Sequence, residues 1–233
     1  MVSNKIIFTR IIDVTDDFAP QPAGKLLPEW YKKMKSYIDS NERNVKEGTI
    51  TSTVKKCVPV FDALTSGYII SLHADIWIGE NNGDIMINWR SGGDSLITKH
   101  EFAQVLEYPN ASPQGAFKFF NPWAIKTPKG YSCLFVPPLN APNQYFTIFS
   151  GIVDTDTYLG AVHFPFTLND PNFRGLIPAG TPIAQVIPFK RERWNMKFGG
   201  KKELDLINKS DKRLAIRWFD SYKTQFWHRK EYK

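Results

Sequence analysis

Two patterns in this sequence combine residue types able to do chemistry. In "GIVDTDTYLG" (151–160) a carboxylate, Asp154, precedes Tyr158, and both stand between Gly151 and Gly160. A carboxylate held on a turn at the rim of a cavity can take the proton of an attacking water. The same residues also suit a plain hairpin turn, because glycine reaches positive φ and an aspartate side chain bonds turn backbone. In the second pattern His73 and Asp75 stand at i and i+2, which on a strand puts them on one face, and His163 follows much later. Two imidazoles and a carboxylate make the facial triad that holds iron(II) with open coordination positions.

The elements that must position these residues are mostly strands. "KKCVPVFDA", "GYIISLHADIWIGE", "GDIMINWR", "GYSCLFVPP", "QYFTIFSGIVD", "LGAVHFPFTLN" and "TPIAQVIPFKRE" are rich in β-branched and aromatic residues. Gly, Pro, Asn or Asp separates them. Along the second of these, Ile70, Leu72, Ala74 and Ile76 alternate with His73 and Asp75, which predicts the first set inward and the second outward. Helices are expected at both ends. Trp30, Met34, Tyr37 and Ile38 predict an amphipathic helix over 27–42, and a short one is expected in "SLITKHEFAQVLEY". Leu214, Trp218, Phe219, Tyr222 and Phe226 recur at helical spacing and predict a C-terminal helix over 203–230, docked on the body. The expectation is a single domain over 1–233 with a β-rich body over 57–192. Its class is mainly β with added helices, arranged as a barrel, a sandwich or a double-stranded β-helix jelly roll.

"TPKGYSCLFVPPLN", "GIVDTDTYLGAVHFPFTLN" and "IPAGTPIAQVIPF" resemble, in order and near spacing, the motifs of the dUTPase and dCTP deaminase superfamily, over roughly 127–189. The resemblance implies a β-clip barrel. It also implies a hairpin in which Gly151 and Ile152 read a base with their backbone, Tyr158 stacks on deoxyribose and Asp154 activates water. Gln185 falls in the later substrate-binding segment, with Gly180, Ile183, Ala184 and Val186. The implied ligand is a nucleotide, with Mg²⁺ if the chain hydrolyses it, and the implied assembly is a homo-oligomer, a trimer with sites between subunits. This chain departs from the family at three places. Pro138 and Leu139 stand where the family has the Arg and Ser of Pro-Arg-Ser-Gly, Ile69 stands at an acidic position, and the Gly-rich closing arm is missing from "KFGGKKE". Losing the guanidinium and hydroxyl removes charge-assisted bonds to the phosphates, which argues for a binding or assembly module over an efficient dUTP or dCTP hydrolase.

The other pattern leads elsewhere. His73, Asp75 and His163, followed by Arg174 as a carboxylate holder, match the spacing of an iron(II) and 2-oxoglutarate-dependent oxygenase, with iron and 2-oxoglutarate as cofactors.

The 233 residues carry +7, and the charge is unevenly placed. From Lys190 onward there are fourteen Lys/Arg against six Asp/Glu, a net +8, so the rest sums to −1. A basic tail favours anionic partners, yet no nucleic-acid recognition motif accompanies it. Cys57 and Cys133 lack metal-ligand spacing and read as reduced core residues. With no apolar run long enough to cross a bilayer and no leader-like start, the expectation is a cytoplasmic protein without a membrane partner. A further expectation is that exposed aromatics from "FKFFNPWAI" (117–125) or the tail helix form a contact surface.

Overall fold

The computed structural model describes residues 4–12, 16–38, 52–89, 96–100, 102–105, 116–215 and 221–233. The chain is mainly β, and among the described residues all strand pairs are antiparallel. Its strands are β1 (Ile7–Arg10), β2 (Gln21–Pro22), β3 (Tyr68–Ser71), β4 (Ile76–Asn81), β5 (Asp84–Trp89), β6 (Ile97–Lys99) and β7 (Phe117–Phe119). They continue with β8 (Trp123–Lys126), β9 (Tyr131–Val136), β10 (Phe146–Ile148), β11 (Gly151–Val153), β12 (Phe164–Leu168), β13 (Gly175–Ile177) and β14 (Pro182–Lys190). Four helices are present among the described residues: α1 (Glu29–Lys33), α2 (Val58–Thr65), α3 (Lys201–Ala215) and α4 (Ser221–Gln225).

A five-stranded sheet runs in the order β11-β9-β14-β3-β2, a four-stranded one β10-β12-β7-β6, a three-stranded one β13-β4-β5, and β1 pairs β8. Among the described residues no sheet closes on itself into a barrel. Alternate residues of every sheet meet in one apolar cluster, as a period of two requires. Ile70, Phe135 and Val186 come from the largest sheet, Phe119, Phe146 and Phe166 from the four-stranded sheet, and Ile76, Ile78 and Ile177 from the three-stranded sheet. Phe119 stacks on Phe166 with ring centroids 3.9 Å apart. Of the aromatics of 117–125, Phe117 and Phe119 belong to this cluster, Trp123 is buried and Phe120 is half-buried, so the stretch is core and not a contact surface.

The inward alternation of Ile70, Leu72, Ala74 and Ile76 is as expected, although the chain changes sheet between β3 and β4. Other expectations fail at the helices. "KKCVPVFDA" is not a strand. Pro59 sits in the first turn of α2, where its missing N–H is no loss. The Thr65 hydroxyl donates to the Phe61 carbonyl at 2.8 Å and that of Ser66 to Asp62 at 2.7 Å, closing the helix end. The N-terminal helix stops at Lys33 and buries Tyr31, not the expected face of Trp30, Met34, Tyr37 and Ile38; residues 39–51 lie outside the described residues. "SLITKHEFAQVLEY" holds β6 and one 3-10 turn at Phe102–Gln104 in its described part. Within the span expected for the C-terminal helix lie α3 and α4; 216–220, with Trp218 and Phe219, lie outside the described residues, and 227–230 are not helical.

Candidate functional site

The last residue of β14 is Lys190, and the next, Arg191, reaches back across the end of the five-stranded sheet. In that sheet Lys190 lies opposite Tyr131 and Val153 opposite Cys133, so the ends of β14, β9 and β11 come together. The Arg191 backbone N–H donates to the Gly130 carbonyl at 2.8 Å. Its Nη1 donates to the Ser132 hydroxyl oxygen at 3.0 Å, the Tyr131 carbonyl at 3.2 Å and Asp156 Oδ1 at 2.8 Å, and lies 3.1 Å from Asp154 Oδ1. Its Nη2 donates to Asp156 Oδ2, completing a two-pronged fork on that carboxylate.

Two aspartates of the expected motif therefore share one guanidinium on unequal terms. The Asp156 side chain is 3% exposed and also accepts the Gly130 N–H at 2.7 Å. Arg191 first, and then that N–H, hold its pKa at about 2, below the ordinary 3.8. Asp154 is 60% exposed, and its Oδ1 accepts the Ser132 hydroxyl at 2.6 Å besides facing Arg191. Between them Thr155 points inward: its hydroxyl pairs with that of Thr127 at 2.8 Å and reaches the Cys133 sulfur at 3.3 Å. The arrangement fixes a loop and the start of the C-terminal segment.

The turn itself differs from a hairpin. The Thr157 and Tyr158 N–H groups both donate to the Asp154 carbonyl, but β11 pairs with β9 while β12 pairs with β10 and β7. The chain crosses from one sheet to another instead of folding back on itself. Tyr158 is bent onto its own loop, its hydroxyl 3.3 Å from the Ala161 carbonyl, and a Cβ on Gly160 would lie 2.8 Å from that hydroxyl. Ile152 and Gly151 are exposed at the sheet edge, and a Cβ on Gly151 would meet nothing within 4 Å.

Gln185 is 1% exposed, and protein partners occupy both ends of its amide. Its Oε1 accepts the Leu139 N–H at 2.7 Å, and its Nε2 donates to the carbonyls of Ala63 at 2.9 Å and Ser66 at 2.6 Å. It joins the end of α2 and the "PPLN" loop to β14. Nearby, Gly67 has φ +70°, and a Cβ there would stand 2.0 Å from the Val186 carbonyl oxygen. The side chain is missing because backbone passes against backbone.

His73, Asp75 and His163 are held apart. Among the described residues, no three His, Cys, Asp or Glu side chains gather closely enough to hold a metal ion. Asp75 Oδ1 accepts the Ala179 N–H at 2.8 Å. His163 Nδ1 accepts the Asn121 N–H at 3.2 Å and its ring packs on Phe120. Burial pushes the pKa of both histidines down, with Lys118 adding to the effect at His163. Arg174 is paired with Glu80.

The sequence reading passed over the segment that leaves the clamp. Every residue from Arg191 to Lys209 is exposed. Trp194, Met196 and Phe198 alternate along it at 85%, 87% and 84% exposure. The Gly200 N–H donates to the Glu203 carboxylate at 2.8 Å and starts α3, whose Leu204, Leu206 and Ile207 are 55–58% exposed. Of the face expected to dock, Leu214 and Phe226 are half-buried and Tyr222 is exposed. What docks is the non-helical end: Trp227 Nε1 and Lys230 Nζ donate to Asp62 of α2, and Tyr232 packs edge-on against Tyr68.

No protein-family model matches the chain, and no curated protein matches it. No helix among the described residues is long and apolar enough to cross a membrane.

Proposed function

We propose that the chain is a dUTPase-like β-clip protein whose nucleotide site has degenerated, and that it works as an assembly module whose C-terminal arm docks on a second copy. The β-clip reading is supported by topology: the three segments that carry the resemblance supply β9, β11 and β14, neighbours in one sheet. The assembly reading rests on one observation. The Arg191 fork fixes the root of a segment whose Trp194, Met196 and Phe198 are more than four-fifths exposed.

Such a stripe is costly in water, and its size suits a protein partner. Trp194 and Phe198 together would remove about 300–500 Å² from solvent, at about 150–250 Å² per aromatic side chain. With a matching acceptor surface and a reciprocal contact, the total is about 1,200–2,000 Å², the range of specific interfaces. The body offers an acceptor. On the three-stranded sheet Leu176 lies opposite Trp77, Met86 lies opposite Gly79, and the Trp77 ring leans over Gly79. Trp77, Met86 and Leu176 are all exposed, and Asp84 stands on the same face as Met86. Asp84, 4.0 Å from Lys99, carries the charge opposite to that of Arg193 and Lys197 of the arm.

Sedimentation tests the reading. The wild-type chain is expected at the mass of two or three protomers at micromolar concentration, and a Trp194→Ser/Phe198→Ser variant at one, with unchanged circular dichroism. A wild-type chain that stays at one protomer overturns it. Pyrophosphate release from dUTP or dCTP with Mg²⁺, abolished by Asp154→Asn, would replace it with the hydrolase reading.

A further inference from the structure

The hairpin that carries Trp77 and Met86 ends the three-stranded sheet with an open edge. Its strands, β4 and β5, are joined by Asn82 and Gly83 alone, with φ +52° and +85°, and Asn81 pairs with Asp84 across them. Positive φ at both central residues is the type I′ turn, whose flanking pair exchanges both main-chain hydrogen bonds. Bonded and non-bonded pairs then alternate along the ladder, so Asp84, Met86 and Asn88 direct their N–H and C=O groups to Asn81, Gly79 and Trp77 of β4. Those of Ile85 and Ile87 point the other way. Among the described residues β5 pairs with β4 alone, so these groups line the rim of the sheet. The two side chains turn inward: Ile85 is buried in the core and Ile87 packs against it.

The arm has a matching form. Residues 191–200 contain no proline, so each has an N–H to give. The Arg191 and Gly200 N–H groups bond the Gly130 carbonyl and the Glu203 carboxylate, and among the described residues the N–H groups between them have no partner. Trp194, Met196 and Phe198 alternate with Arg193, Asn195 and Lys197, and in an extended strand each set takes one face. Residues directly opposite each other in a sheet share a face. Trp194, Met196 and Phe198 therefore join the exposed face of Trp77, Met86 and Leu176 when they stand opposite Asn88, Met86 and Asp84. That register covers all six residues of β5.

We infer that the arm docks as a strand: residues 193–198 of one copy add antiparallel to β5 of another, with Met196 opposite Met86, making a four-stranded sheet from two chains. An edge with unpaired main-chain groups is a template for such an addition. Asn195 then exchanges both main-chain bonds with Ile87, and Lys197 with Ile85. The strand rests on the reading that the arm docks on a second copy, and it supplies the main-chain contacts of that docking.

Proline separates strand addition from docking by side chains alone. Sedimentation of the full chain gives the dissociation constant of the assembly for two pairs of variants. Asn195→Pro lacks the N–H aimed at the Ile87 carbonyl, and should weaken assembly by about 10-fold or more beyond Asn195→Ala. Met196→Pro lacks an N–H that points away from β5, and should match Met196→Ala. Amide exchange reads the same bonds without a change to the backbone. The Ile85 and Ile87 N–H groups should exchange several-fold more slowly in the wild-type assembly than in the Trp194→Ser/Phe198→Ser variant, with Met86 alike in both. A wild-type chain that sediments as one protomer would overturn the assembly reading and the strand with it. A wild-type assembly that both prolines, or neither, weaken beyond their alanine controls, or whose Ile85 and Ile87 exchange as in the variant, would overturn the strand addition alone.

Discussion

The loop from Asp154 to Tyr158 and the segment from Arg191 to Gly200 meet at one guanidinium and are otherwise opposites. In the loop nearly every polar group has a protein partner: Asp156 takes the Arg191 fork and a backbone N–H, Thr155 is buried between Thr127 and Cys133, and Tyr158 bends back onto Ala161. In the segment every residue is exposed, and the largest side chains are apolar. Polar satisfaction completed within one chain marks a structural joint. Apolar surface left open on the same chain marks a contact still to be made.

The comparison is broken most severely by changes under the sheet that carries the clamp. Gly67→Ala forces a Cβ against the Val186 carbonyl at a positive φ, where neither side can yield. The expected loss is about 3 kcal/mol or more, read as a large drop in the denaturant midpoint. Gln185→Leu comes next. It strips partners from the half-buried Ala63 and Ser66 carbonyls and from the Leu139 N–H, and should lose about 2–4 kcal/mol in the same assay. Were Gln185 a ligand contact instead, its replacement would change affinity and leave stability nearly intact.

A finer distinction separates the two aspartates. The Asp156 pKa is lowered on folding from 3.8 to about 2, so the folded state binds fewer protons than the unfolded chain across that window. Its contribution is therefore complete above about pH 4 and lost as pH falls toward 2. Wild-type stability minus Asp156→Asn stability should be flat above pH 4 and shrink below it. Asp154→Asn, at an exposed carboxylate, should shift stability by about 0.5 kcal/mol or less at pH 7.

Much of the body was readable from the sequence, since runs such as "GYSCLFVPP" and "TPIAQVIPFKRE", rich in β-branched and aromatic residues, form β9 and β14. α2 misled because Val58 and Val60 are strand formers, while the signal that decided the matter, Pro59 at a helix start, is a single residue. Asp154 drew attention through its motif, yet its neighbour Asp156 carries the clamp. Its partner lies 35 residues away, and no local spacing announces that pairing. The exposed arm went unnoticed because the alternation of Trp194, Met196 and Phe198 shows that a face seeks cover without showing whose surface supplies it.

Crosslinking between copies tests the account most directly. Two differently tagged chains, both Cys57→Ala and with Cys133 buried, carry Met196→Cys on the arm and Met86→Cys on the three-stranded sheet respectively. They are mixed and treated with a short bismaleimide. The account predicts a covalent heterodimer of both tags, several-fold more abundant than when Lys25→Cys replaces Met86→Cys, and abolished by adding Trp77→Ser to the acceptor chain. Heterodimer yields equal for the two acceptor positions, or none at all, would contradict the docking of the arm on a second copy.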